Sequence, residues 1–94
     1  MDLERILCKM EEIMVKLEFE PVEVNCIKYM RYHEHYCKIT FIKDWSSFVI
    51  ESADTIQDAE KGVLEDGDLY YMDIPEDALL EQFKADLIRD YIIE

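Results

Sequence analysis

Three side chains at alternating positions, His33, His35 and Cys37 in the stretch HEHYC, are the most obvious candidates for chemistry. On a strand, successive side chains point to opposite faces, so all three would project the same way. Imidazole and thiolate are good zinc ligands, but a structural zinc site takes four. Cys26 could supply the fourth from a neighbouring strand, yet no second ligand pair of recognisable spacing follows. The simpler expectation is that His33 and His35 lie in an exposed hairpin loop, that Cys37 is core, and that no metal or other cofactor is held.

The second candidate is VLEDGDLYYMDIPED, residues 63–77, with six carboxylates (Glu65, Asp66, Asp68, Asp73, Glu76, Asp77) and no positive charge around Tyr70, Tyr71 and Met72. Two carboxylates act as acid and base only where burial separates their pKa values, and a dense charge run stays solvated. EDGD has acids on either side of a glycine, but the remaining positions of a calcium loop are wrong. A cysteine nucleophile needs an electropositive setting, which a chain of net charge −13 is poorly placed to provide. No phosphate-binding loop, GxSxG or HExxH occurs. An enzyme is therefore not expected.

Protein binding fits these residues better. Tyr, Trp and Met serve as interface anchors, and surrounding carboxylates set orientation and association rate. The expected contact set is Tyr70 and Tyr71 as anchors, Asp66, Asp68 and Asp73 as charged partners, and Glu65 and Asp77 behind them. If the segment is extended, only one tyrosine of the pair can point inward. The charge is concentrated: residues 44–77 hold eleven acids and one base, a net −10 of the total −13. Such a surface repels nucleic acid and anionic membranes and attracts a basic protein.

The elements that must position these residues are legible from periodicity. At 94 residues and half hydrophobic, the chain suits a single domain spanning 1–94. Leu3, Ile6, Leu7, Met10, Ile13, Met14 and Leu17 form one apolar stripe, predicting a helix over 2–18 with Asp2 as N-cap and Pro21 as the stop. Residues 22–30 read as one strand whose alternation slips at Ile27 and Tyr29, a hint of a bulge or of burial on both faces. Strands over 36–42 and 47–51 follow, giving an antiparallel meander. Cys37, Ile39 and Phe41 share a face opposite Tyr36, Lys38 and Thr40. A helix over 54–65, capped by Asp54 or Thr55, should end at Gly67. Residues 69–72 read as extended, and Pro75 opens a last helix through Leu79, Leu80, Phe83, Leu87 and Tyr91. The expected fold class is α+β: an N-terminal helix, a three- to four-stranded antiparallel sheet, then two helices packed on it. With only two glycines, few left-handed backbone positions are expected. Three cysteines without framework spacing, no membrane-length apolar run and no signal-like N-terminus point to a reducing cytoplasm.

The segment FVIESADTIQDAEKGVLEDGDLYYMD, with the later LLEQFKADLIRDY, resembles the immunity protein 59 family of bacterial polymorphic toxin systems. The likeness rests on the strand ending in Glu51, Ser52 and Ala53, the short helix with Ala59, a DGDLY turn at Asp66 to Tyr70, and the ADLI…Y end from Ala85 to Tyr91. It covers the C-terminal half; the first helix, the histidines and the cysteines lie outside it. The resemblance implies a non-enzymatic inhibitor that binds the effector domain of a cognate toxin in the producer's cytoplasm. It assigns no contact residues. A phage-encoded nucleic-acid mimic, inhibiting a nuclease such as a CRISPR effector, would carry the same charge pattern. A small metal-binding protein or enzyme subunit is the reading from a different class.

Overall fold

The computed structural model describes residues 3–92. Helix α1 (Leu3–Lys16) precedes strands β1 (Glu20–Val24), β2 (Ile27–Tyr32), β3 (His35–Ile42) and β4 (Ser47–Ala53). Helix α2 (Ile56–Lys61), strand β5 (Glu65–Tyr71) and helix α3 (Glu76–Leu87) complete the order, and α3 runs on into a π turn, Ile88–Ile92. The sheet is a five-stranded meander, β1-β2-β3-β4-β5, antiparallel throughout. The α+β class is as the periodicity indicates, with one or two more strands and with α2 inserted before the last of them.

The predicted strand over 22–30 is in fact a hairpin. Val24 pairs with Ile27, and Asn25 and Cys26 between them have φ of 52° and 66°. Two consecutive left-handed residues make the type I′ turn that suits the strand twist. The slip in alternation thus marks a reversal of the chain, not a bulge. Left-handed positions are also more numerous than the glycine count suggests: Glu18, His33 and Ser46 join these two. At the end of α1, the Phe19 N–H donates to Met14 O and the Glu18 N–H to Val15 O, a Schellman closure with Glu18 (φ 74°) where glycine is usual. The helix therefore stops before Pro21, which sits in edge strand β1. Asp2, the expected cap, lies outside the described residues.

Helix α2 is shorter than expected. Thr55 caps it, its side chain accepting from the Asp58 N–H, and Gly62 (φ 72°) ends it, in place of Gly67. Gly67 lies within β5, where a Cβ would come within 3.0 Å of Ile50 O. The β4–β5 register shifts at this point, between Val49 and Glu51. A side chain here would crowd the neighbouring backbone, which favours glycine inside this strand.

Alternation divides the core between the two sheet faces. Ile6, Met10 and Met14 of α1 and Leu79, Phe83 and Leu87 of α3 pack on Met30, Cys37, Phe48, Ile50 and Tyr70. On the other face α2 sets Ala59 and Ile56 against Val24, Tyr29, Tyr36 and Ala53. Six residues of helix cannot reach across five strands. The rows Ile42–Ser47–Tyr71 and Thr40–Val49–Leu69 lie on that face beyond the apolar contacts of α2.

Candidate protein-binding surface

The acidic segment is mostly strand. Residues 65–71 form β5, an edge of the sheet, so the expected DGDLY turn is extended backbone bonded to β4 along one side. Extended geometry separates the two tyrosines. Phe48 pairs with Tyr70 and both face the α1–α3 layer, leaving Tyr70 3% exposed; Tyr71 pairs with Ser47, points the other way and is 50% exposed. Tyr70 is therefore a core residue and drops out of the contact set, whereas Tyr71 keeps its place. Trp45, 58% exposed, stands near the same end, in the turn whose next residue, Ser46, accepts a hydrogen bond from the Met72 N–H.

The carboxylates divide in the same way. Glu76 opens α3 and receives Arg5 at 2.6 Å and Lys9 at 2.9 Å from α1, so it ties two helices together. Asp68 is half-buried beside α3 and pairs with Arg89 at 3.2 Å. Glu65, Asp66, Asp73 and Asp77 are exposed and form no ion pair with any described residue. They do not form one cluster: at ~3.4 Å per residue, β5 alone spans about 20 Å from Glu65 to Tyr71, and Asp73 and Asp77 lie beyond that end. The arrangement is an acidic margin with Tyr71 on it.

One residue on the α3 side escaped the sequence reading. Asp86 is 7% exposed and fully engaged. The Tyr70 hydroxyl donates to it at 2.7 Å, Gln82 Nε2 at 2.9 Å, and Arg89 lies 3.2 Å away. Burial and the hydrogen bond to Asp86 hold the Tyr70 hydroxyl well above its ordinary pKa. The group is a latch between β5 and α3. Its cavity of about 20 Å³ has room for one water and none for a substrate.

Opposite environments give Glu76 and Asp68 opposite pH behaviour. Hydrogen bonds from Lys9 and Arg5 lower the pKa of Glu76. Its contribution is present above the unfolded-state value, near 4.3, and lost as pH falls through the lower folded value. Asp68 is raised, first by burial and then by Asp86 and Asp90, so its charge weakens the fold at neutral pH and protonation relieves it. Glu76→Gln should lower the thermal midpoint near pH 7, with the gap closing in acid. Asp68→Asn should leave the midpoint unchanged or raise it. Thermal denaturation across an acid series checks both; a midpoint drop for Asp68→Asn near pH 7 would reverse the assignment.

Of the HEHYC side chains, His35 and Cys37 share a face of β3 and both meet Tyr91, while His33 stands apart. His33 is exposed in the β2–β3 turn, its ring edge-on to Tyr32 at 4.4 Å. His35 Nδ1 lies 3.3 Å from Asp54 Oδ1 without hydrogen-bond alignment. Cys37 is buried, and desolvation pushes its thiol up to about 11, which makes it unreactive. Cys26 is in the turn at the far end of β2. Among the described residues no three His, Cys, Asp or Glu side chains converge as a metal site would require, and no described helix is long and apolar enough to cross a membrane. Comparison of the chain with family models, with curated proteins and with solved structures finds no match.

Proposed function

We propose that this chain is an inhibitory protein-binding module and that its partner is the cognate toxin of a bacterial polymorphic toxin system, neutralised in the producing cell's cytoplasm. The observation that carries the binding reading is Tyr71, half exposed on an edge strand with four unpaired carboxylates along it and beyond its end. An exposed aromatic with apolar neighbours is what an interface uses as an anchor. Unpaired acids steer a basic partner over about a Debye length, ~8–10 Å at ordinary salt. The choice of a toxin as that partner follows the immunity protein 59 resemblance, part of which falls on β5 and α3. Inhibition on this reading needs no chemistry from the chain: occupying a basic cleft, or docking beside it, is enough.

The test is to co-express the chain with the product of the adjacent gene and measure association of the purified pair at two salt concentrations. Glu65→Gln with Asp66→Asn keeps shape and removes charge. Association should slow on the order of 3- to 10-fold at low salt and become less salt-sensitive. A partner that binds at the same rate with and without these charges would move the interface away from β5.

A further inference from the structure

We infer that β5 receives an extended, basic segment of the partner as a sixth strand of the sheet. The inference rests on the reading of the acidic margin as a binding surface, and it specifies the bonds made there. A meander has two edges, β1 and β5. Every second residue of an edge strand turns its N–H and C=O outward without a partner. Along the outer side of β5, no described residue supplies a backbone hydrogen bond. The two edges are unequal. Strand β1 is five residues long and contains Pro21, which has no N–H to offer. Strand β5 is seven residues long and free of proline, and its register shift lies toward Glu65, leaving 69–71 regularly paired up to the turn at Met72.

Charge selects the occupant. Should a second copy pair antiparallel through the same edge, Glu65 and Asp66 would face the Asp73 end of the other chain, carboxylate against carboxylate. Self-pairing is thereby opposed. A strand with Lys or Arg toward both ends meets complementary charge at both ends. Its middle residues would lie beside Leu69 and the exposed ring of Tyr71, a surface suited to an apolar side chain or the stem of a lysine. Main-chain bonds would provide affinity and alternate side chains would provide selectivity.

The probe is a nine-residue peptide alternating Lys with Val, compared with the same peptide N-methylated at two adjacent central residues. Methylation leaves the charge intact but blocks both edges of the peptide as a strand. Titration into the full-length ¹⁵N-labelled protein should show the methylated form binding at least about tenfold more weakly. Amide exchange should slow only at alternate positions of β5. Equal affinity for the two peptides would mean charge attraction alone and would overturn strand addition, leaving the acidic surface intact as a binding site. No binding at about 1 mM would overturn it as well, the acids then serving only to guard the edge. Shifts centred on Trp45 would do the same, in favour of the turn at that end of the sheet. The reading of the protein as a toxin inhibitor fails separately, if the co-expressed toxin does not bind.

Discussion

Phe83→Ala is expected to leave the protein close to unfolded at ordinary temperature. Phe83 is 0% exposed at the centre of the larger core and meets Tyr70 edge-on at 5.5 Å between ring centres. Truncating a buried phenylalanine costs about 3–5 kcal/mol, since the lost transfer energy adds to that of the cavity left behind. The aromatic contact contributes a further ~0.5–1.5 kcal/mol. A chain of this length is stabilised by only about 5 kcal/mol, so the loss is of the order of the whole. At ~4–8 °C per kcal/mol, the thermal midpoint should fall by at least about 12 °C. Urea denaturation followed by circular dichroism gives the same quantity from the shift in midpoint. A change of only a degree or two would mean that α3 is not the lid of the core.

Tyr71→Ala should act in the opposite sense, weakening partner binding while leaving the fold intact. Its ring is half exposed and none of the described core side chains depends on it. If it is the anchor, truncation costs about 2 kcal/mol or more, roughly a 30-fold rise in Kd. Most of that should appear as faster dissociation. The neighbouring Tyr70→Ala is the control. It removes a buried ring and leaves Asp86 without its shortest hydrogen bond, so it should lower the thermal midpoint, with any loss of binding following from unfolding. Kinetics against the partner, with circular dichroism on each variant, separates the two. Unaltered dissociation from the Tyr71 variant would point to the sheet around Trp45 instead.

Periodicity carried well where one element has one buried face. The i, i+4 spacing of Ile6, Met10 and Met14 and of Leu79, Phe83 and Leu87 maps directly onto buried stripes. The phases of β3 and β4 are those expected. It failed where a turn lacked its usual residues. Asn25 tolerates a left-handed backbone but Cys26 does not advertise one, so a hairpin read as a single strand. Gly67 was misread because glycine serves both to end helices and to admit a close backbone approach, and only the fold distinguishes them. Asp86 was within reach: it falls three residues after Phe83 and one before Leu87, on the apolar stripe, where a carboxylate needs partners. Of the acidic segment, composition revealed the charge. Which acids were already paired depended on Arg5, Lys9 and Arg89, two of them some 70 residues away in the chain.

The strand order also constrains how the molecule comes into being. Each strand pairs with its sequence neighbour, so the sheet can assemble hairpin by hairpin as the chain leaves the ribosome, with little entropy spent on distant closure. The layer that covers it cannot. The apolar side of α1 is completed by α3, and the ion pairs between them span 67 and 71 residues. Until α3 has been synthesised, Met10, Phe48 and Ile50 lack their cover, and the growing chain holds a nearly finished sheet with an apolar surface open to water. Emergence of α3 is thus the step that closes this core over the sheet.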